Sequence, residues 1–229
     1  LVSPIVVSIL EWDREDLFVG TFGGGLHRFD TNDGAVLHIP TDADDPTALA
    51  DDRIMGLHRD SKNGLWVGTK GGGLYYAGEV PPPGESIRFR SVPAAHPWVY
   101  TIDQHPDGSI WAATQGGGIT RVDPESLATT TIVDSLPSPT LRTLEILENG
   151  EVWVGTVDAG LVRVTSEGAR IAEYPGTRDD RSGLRGVHVV SIAETTSGIW
   201  VGTVGGGVHR WDGETDTFER FGVDDGLPN

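Results

Sequence analysis

Cysteine is absent from the sequence, and its absence removes several kinds of site. Disulfide bonds, zinc–thiolate centres and thiol nucleophiles are excluded because each needs a cysteine sulfur. Long hydrophobic runs are lacking as well: the longest, around Ile5 to Leu10, is far too short to span a bilayer. No signal peptide is visible in the 229 residues. Catalysis or metal binding in this chain would therefore depend on oxygen and nitrogen groups.

Positive charge is scarce, since 17 basic residues stand against 34 acidic ones and the formal net charge is −17. A surface this acidic repels phosphate backbones, which argues against nucleic acid as a partner and favours high solubility. Hydrophobic residues make up 37% of the chain, enough for a sizeable core. The 32 glycines and 14 prolines favour many tight turns, which suit short strands better than long helices.

One block of sequence recurs five times at nearly constant spacing. Two of its copies read LFVGTFGGGLHRFD and IWVGTVGGGVHRWD, and successive copies start 48, 45, 42 and 47 residues apart. The copies begin at Leu17, Leu65, Ile110, Val152 and Ile199. A shorter apolar element, such as VVSIL at Val6, precedes each copy. A repeat of this length is typical of propellers and solenoids, and no helical period supports a solenoid.

Each repeat predicts four short strands joined by tight turns, and strands joined in this way must be antiparallel neighbours. The second strand, of the type Leu-Trp-Val-Gly-Thr, is apolar at successive positions and is expected to be buried on both faces. The sequence therefore predicts an all-β fold, a β-propeller of five four-stranded antiparallel blades in a single domain over residues 1–229. The expected blades are approximately 1–50, 51–95, 96–137, 138–184 and 185–229.

Both ends of the chain fall at the same phase of the repeat. Leu1-Val2-Ser3-Pro4 aligns with LPSP at Leu136, and the sequence stops at GLPN, residues 226–229. We expect either a fragment of a larger propeller or a ring closed by packing of the fifth blade on the first. Exposed blade faces would favour self-association if the ring does not close.

The pattern W-V-G-T-x-G-G-G-L-x-R-F-D, with DDPTALADDRI or DGLPN beside it, resembles the two-component regulator propeller repeat. The resemblance covers essentially the whole chain, although blade four has Asp158-Ala159 in place of two glycines. It implies a sensor region of a bacterial signalling protein that lies in the periplasm or outside the cell. It further implies recognition of an oligosaccharide or another small polar ligand, without catalysis.

Candidate ligand-binding residues come from two variable positions of an otherwise strict repeat. One position lies in the glycine-rich turn after the second strand, and the other in the lead-in segment, the residues just before and within the start of the first strand. Aromatic faces can stack on sugar rings, and charged groups can bind hydroxyls or carboxylates. The predicted set is Arg53, Lys70, Trp98, Tyr100, Gln115, Arg142, Asp158 and His188. In the alternative interpretation, Trp98 and Tyr100 fill the axial channel or a blade interface.

Other chemistries find weaker support. The turn glycines lack a following Lys-Ser/Thr pair and the context of a nucleotide site, so phosphate binding is rejected. The acidic stretch Thr41 to Asp52 and the turn Asp30 to Gly34 lack a complete calcium-loop pattern, and neither a metal nor a cofactor is expected. No metalloprotease or serine-hydrolase motif occurs. Two alternatives stay open: a protein-interaction scaffold, and a propeller lyase or hydrolase with Arg142 and His188 as electrophile and base.

Overall fold

The computed structural model describes residues 1–177 and 183–227, and strands account for nearly all of their regular structure. Within these residues, twenty strands form five four-stranded sheets, each made of four strands that are consecutive in the chain. A short 3₁₀ turn at Val223–Asp225 is the remaining element of the described residues. In the described part of the chain no helix has the length and apolar character needed to cross a membrane.

The strands follow the repeat, four to a sheet. The first sheet contains β1 (Val6–Glu11), β2 (Asp16–Thr21), β3 (Leu26–Asp30) and β4 (Val36–Ile39). The second contains β5 (Ile54–Arg59), β6 (Leu65–Thr69), β7 (Leu74–Ala77) and β8 (Arg90–Val92). The third contains β9 (Val99–Gln104), β10 (Ile110–Thr114), β11 (Ile119–Val122) and β12 (Thr129–Ile132). The fourth contains β13 (Leu141–Ile146), β14 (Val152–Thr156), β15 (Leu161–Val164) and β16 (Arg170–Tyr174). The fifth contains β17 (Val189–Thr195), β18 (Gly198–Thr203), β19 (Gly207–Asp212) and β20 (Thr217–Phe221).

Register is conserved from sheet to sheet. The first residue of each first strand pairs with the threonine that ends the second strand, as in Val6 with Thr21 and Ile54 with Thr69. A bulge follows this pair, where the ladder shifts by one residue. All sheets are antiparallel, because the connections are short turns. The all-β fold with five four-stranded antiparallel blades is confirmed, and a fragment of a larger propeller is consistent with it.

Burial explains the composition of each strand type. Every residue of β6, with the sequence LWVGT, is buried, whereas three of the four residues of β4 are exposed. Second strands lie between neighbours on both sides and are covered on both faces, so they carry successive apolar residues. Fourth strands lie at a solvent edge and tolerate polar side chains.

The second and third sheets, and likewise the fourth and fifth, pack through a glycine on the second strand of the earlier sheet. A Cβ atom on Gly68 would lie 2.9 Å from Cγ1 of Val99, in the first strand of the third sheet. A Cβ atom on Gly155 would lie 2.6 Å from Cγ1 of Val189, in the first strand of the fifth sheet. The glycine is needed because any larger residue would hold the two sheets apart.

An aromatic–arginine pair joins the second and third strands. Arg163 lies opposite Trp153 in the register, with its guanidinium 5.0 Å from the indole centroid, and Nε donates to Glu151 over 2.5 Å. In the second sheet Tyr76 takes the place of the arginine and lies 4.4 Å from Trp66, whose Nε1 donates to a buried aspartate. The cross-strand pair is thus kept with different chemistry.

The chain divides into two compact units. Unit 1 comprises Leu1–Gln104, Gly108–Thr114 and Thr120–Thr130 and includes the first two sheets and most of the third. Unit 2 comprises His105–Asp107, Gln115–Ile119 and Thr131–Asn229 and includes the fourth and fifth sheets. The single domain and its blade boundaries stay a prediction. Residues 178–182, within the expected fourth blade, and Pro228 and Asn229 of the GLPN end lie outside the described residues.

Candidate functional site

The glycine-rich turns and the lead-in segments lie at the same end of each sheet. This follows from antiparallel pairing, which sets the start of a first strand beside the end of the second. In the second sheet the backbone N–H of Lys70, in the turn, donates to the carbonyl of Arg53, in the lead-in segment, over 2.9 Å. In the fifth sheet Val204 donates to His188 in the same way over 2.9 Å. Both variable positions of the repeat are therefore neighbours.

In the first four sheets, the N–H of the last glycine of the turn donates to a carbonyl of the following lead-in segment. The N–H of Gly73 donates to the carbonyl of Pro97 over 3.0 Å, and that of Gly160 donates to Val187 over 2.9 Å. Both glycines have positive φ, at 91° and 81°, a conformation that favours glycine. These N–H groups are used within the fold, which supports a structural role for the glycines.

Three different sheets of unit 1 contribute side chains to one cluster. The Lys70 ammonium lies 4.7 Å from the ring centroid of Phe22 and 4.2 Å from that of Trp98. The Trp98 ring lies 5.3 Å from that of Tyr100, at an interplanar angle of 35°. All four side chains are half-buried, so each keeps accessible surface. We call Phe22, Lys70, Trp98 and Tyr100 the Lys70 cluster.

An ion pair adjoins the Lys70 cluster. Arg53 donates from Nε and Nη2 to the two carboxylate oxygens of Asp51, over 2.9 and 2.5 Å. The Asp51 side chain is only 9% exposed, while that of Arg53 is 40% exposed and can meet a ligand. Burial alone would raise the pKa of Asp51, but hydrogen bonds from Arg53 and the charges of Arg53 and Lys70 hold it below its usual value. The carboxylate thus stays ionised and orients the guanidinium.

The remaining predicted residues belong to unit 2. Asp158 is exposed in its turn, and Gln115 and Arg142 are half-buried, Arg142 on β13. His188 lines a cleft of about 560 Å³ together with Arg185 and Val204, and its Nε2 is buried without a hydrogen bond to any described residue. The structure therefore brings Arg53, Lys70, Trp98 and Tyr100 together in unit 1. It assigns Gln115, Arg142, Asp158 and His188 to unit 2.

Sequence reasoning did not select two residues of this region. Phe22 stood at a variable turn position without a chemical reason to select it, and Asp51 was interpreted as part of a solvated acidic run. A signal for Asp51 exists, because its spacing of two residues from Arg53 allows the ion pair within one loop. Other acidic residues of the run do act as turn formers: Asp45 accepts from the N–H and hydroxyl of Thr47, both over 2.8 Å.

The described residues contain no group of three or more histidine or carboxylate side chains arranged to hold a metal ion. Arg142 and His188, the candidate catalytic pair, lie in different sheets, on β13 and just before β17. A metal site and a catalytic pair therefore have no support beyond the sequence pattern in the described residues.

Five four-stranded antiparallel sheets, built from a repeat with constant register, define a β-propeller protein. The sequence model of the two-component regulator propeller matches residues 48–71, which include the acidic lead-in segment, Arg53 and Lys70. The resemblance indicated by the repeat motif is thereby confirmed, through a match of the family model at these residues. No curated protein matches the sequence significantly.

Solved structures share this fold at low sequence identity. The extracellular domain of a putative hybrid two-component system from B. thetaiotaomicron has a TM-score of 0.76 at 19% identity, over 100% of this chain and 30% of that one. A second such domain from B. thetaiotaomicron has a TM-score of 0.77 at 16% identity, over 98% and 31%. Virginiamycin B lyase from Staphylococcus aureus has a TM-score of 0.72 at 16% identity, over 98% and 72%. The chain spans about three tenths of the length of the two-component-system domains, and identities this low show the fold alone.

Proposed function

We propose that this chain is a ligand-sensing propeller of a bacterial two-component regulatory protein, acting in the periplasm or outside the cell. The ligand is an oligosaccharide or another small polar molecule, and the Lys70 cluster with Arg53 binds it. The family match at residues 48–71 and the fold shared with extracellular domains of two-component systems support the sensing role.

The contact of Lys70 with two aromatic rings is the observation that favours the Lys70 cluster as the ligand-binding site. The Lys70 ammonium is held in one place over Phe22 and Trp98, since the rings attract it through their quadrupoles. Arg53 is oriented by a buried carboxylate and still 40% exposed. Two preorganised cations beside half-buried aromatic rings match a ligand with an apolar ring face and hydroxyl or carboxylate groups.

The other predicted residues have weaker grounds. Gln115, Arg142, Asp158 and His188 line turns and lead-in segments of unit 2 and stay predicted ligand contacts. Catalysis is not part of the proposal, because the similarity to virginiamycin B lyase extends to the fold alone. A protein-interaction scaffold is the second candidate, favoured by exposed apolar side chains on and before β1, such as Ile5 and Ile9.

A thermal-shift screen against neutral and uronic-acid oligosaccharides tests this function. A ligand present at a hundred times its dissociation constant stabilises the native protein by about 2.7 kcal/mol, which raises the melting temperature measurably. We expect Lys70→Met to weaken binding by roughly tenfold or more, because a hydrogen bond to a charged group contributes about 1.5–3 kcal/mol. The matched control is Val157→Ala, at the same turn position in unit 2, which should bind as the parent does.

The outcomes separate the two parts of the proposal. If Val157→Ala or His188→Gln weakens binding and Lys70→Met does not, the ligand site lies in unit 2. The proposed sensing role would then be retained, and the proposed site would be wrong. The absence of any shift with the whole panel would favour the scaffold instead.

A further inference from the structure

One connection between a third and a fourth strand is much longer than its counterparts. In the second sheet it covers residues 78–89, whereas it covers residues 31–35 in the first sheet and 165–169 in the fourth. It is at least twice as long as in any other sheet of the described residues. Insertions into a strict repeat map to loops, where binding residues concentrate. We call residues 78–89 the insertion.

The insertion is fastened to the first sheet and to the core. Near its start, Arg28 of β3 donates from Nη1 to the carbonyl of Pro81 over 2.8 Å and from Nη2 to Asp16 over 2.6 Å. Both side chains of this ion pair are largely buried. At the end of the insertion Phe89 lies in the core of the first two sheets, and its N–H donates to the carbonyl of Thr47 over 2.8 Å. These contacts fix the backbone of the insertion beside the first sheet.

A cleft of about 360 Å³ is lined by the insertion, the outer strand β4 and the acidic stretch that follows β4. Its apolar lining comes from Leu37 and Ile39 of β4 and from Ile87 and Phe89 of the insertion. All of these residues belong to unit 1, and none of them belongs to the Lys70 cluster. Small-molecule sites have volumes of this order and are mostly apolar, with a few polar groups that fix the orientation of the ligand.

Charged side chains of both signs line the same cleft. Arg88 and Glu85 are exposed, and among the residues that the structure describes neither side chain has a hydrogen bond or an ion pair. In the acidic stretch, Oδ1 of Asp45 accepts from the N–H and the hydroxyl of Thr47, both over 2.8 Å. These bonds, together with the charge of Arg88, hold the pKa of Asp45 below its usual value. The carboxylate stays ionised, and its second oxygen takes part in neither bond.

We propose that this cleft binds a free α-amino acid with a large apolar side chain. The ligand carboxylate pairs with the guanidinium of Arg88, whose parallel N–H donors match a carboxylate. The ligand ammonium pairs with the carboxylates of Asp45 and Glu85, and the apolar side chain packs on Leu37 and Ile87. A ligand with only one charge would cover the opposite charge of the cleft without a partner, which costs free energy.

Isothermal titration calorimetry with leucine, phenylalanine and two phenylalanine analogues tests the inference. Hydrocinnamate lacks the ammonium of phenylalanine, and phenethylamine lacks its carboxylate. We expect phenylalanine to bind, and each analogue to bind about tenfold or more weakly, because each loses a hydrogen-bonded pair with a charged group. Analogues that bind as tightly as phenylalanine would contradict recognition of both charges.

Variants assign each ligand charge to its partner. Arg88→Met should weaken phenylalanine binding by about tenfold and leave phenethylamine binding unchanged, because that analogue has no carboxylate to lose a partner. The double variant Asp45→Asn/Glu85→Gln should weaken phenylalanine binding and leave hydrocinnamate binding unchanged. The matched control is Arg14→Met, which removes an exposed arginine of the turn before β2 and should bind as the parent does. Unchanged melting temperatures without ligand would establish that the variants fold.

Two results would overturn the inference. One is the absence of binding of both leucine and phenylalanine to the parent protein. The other is binding that Lys70→Met weakens and Arg88→Met does not, because the amino acid would then occupy the Lys70 cluster. The proposed sensing function is tested separately, since Arg88→Met leaves the Lys70 cluster intact and should bind any oligosaccharide ligand as the parent does.

Discussion

Arginine 163 shows how one residue of the repeat joins several strands of unit 2. Its guanidinium contacts two indoles, 5.0 Å from the ring centroid of Trp153 and 4.6 Å from that of Trp211, and donates to both carboxylate oxygens of Glu151. Nη1 also donates to the hydroxyl of Tyr174 over 2.9 Å. The Arg163 side chain is 14% exposed, so these contacts are largely shielded from water. Arg210 has the same position in the fifth sheet and pairs with Glu219, and both side chains are well exposed.

We expect Arg163→Ala to lower the free energy of unfolding by about 2–3 kcal/mol, because it removes two cation–π contacts and leaves a shielded carboxylate without its partner. Arg210→Ala, the matched control, should cost less than about 1 kcal/mol, as exposed ion pairs do. Urea denaturation of both variants and the parent measures the difference. Equal losses in the two variants would contradict the structural account.

Two histidines at one repeat position fasten the chain in front of a first strand. Nε2 of His27 accepts from the N–H of Val2 over 3.2 Å, and Nε2 of His209 accepts from the N–H of Arg185 over 3.1 Å. Burial has the largest effect on the pKa of both rings and lowers it, because burial disfavours the charged imidazolium. Both rings must therefore stay neutral for the folded state to keep these bonds.

This predicts an acid-sensitive component of stability. A histidine whose pKa is lower in the folded than in the unfolded protein stabilises the fold at pH values above its unfolded pKa, near 6.5. This contribution to the free energy of unfolding is lost as the pH falls below that value. We expect the free energy of unfolding to decline as the pH falls below about 6.5, and to decline less steeply in the double variant His27→Gln/His209→Gln. Urea titrations at a series of pH values provide the measurement. An identical slope in the variant would assign the acid sensitivity to carboxylates.

At the scale of the element, the second strand is where composition is most tightly constrained. In the second and fourth sheets it is buried on both faces, and its glycine faces the first strand of the next sheet. A Cβ atom on Gly68 would meet Cγ1 and the carbonyl oxygen of Val99, each at 2.9 Å. The carbonyl belongs to backbone that is paired in its own sheet and has little room to move. On Gly202 the nearest atom is instead the hydroxyl of Ser191, which can rotate away.

Gly68→Ala is therefore expected to destabilise the protein by roughly 1–3 kcal/mol, the usual cost of overpacking. Gly202→Ala, at the same position in the fifth sheet, should be close to neutral. Thermal or urea unfolding of the two variants checks the difference. A near-neutral Gly68→Ala would mean that the sheets adjust more easily than their backbone packing indicates.

At the scale of the whole molecule, the repeat places variable residues beside one another in each sheet and keeps the same strand framework around them. The strands and turns hold a constant register, while the turn and lead-in positions differ from sheet to sheet. A ligand surface can therefore change without cost to the framework.

The sequence by itself determined the strands. Each strand pairs with its neighbour in the chain across a short turn, so the repeat and the alternation of apolar and turn residues are sufficient to predict twenty strands in five antiparallel sheets. It also determined that turns and lead-in segments share one end of each sheet, since antiparallel pairing requires it. These features depend on residues that are close in the sequence.

Only the tertiary structure decided which candidate residues meet. Phe22, Lys70 and Trp98 come from three sheets, and their approach depends on how whole sheets pack. Asp51 acquires its role only through the orientation of Arg53. Val6 and Val189 have the same local pattern, yet one is exposed and the other buried. The difference lies in whether another sheet covers them, which no local pattern encodes.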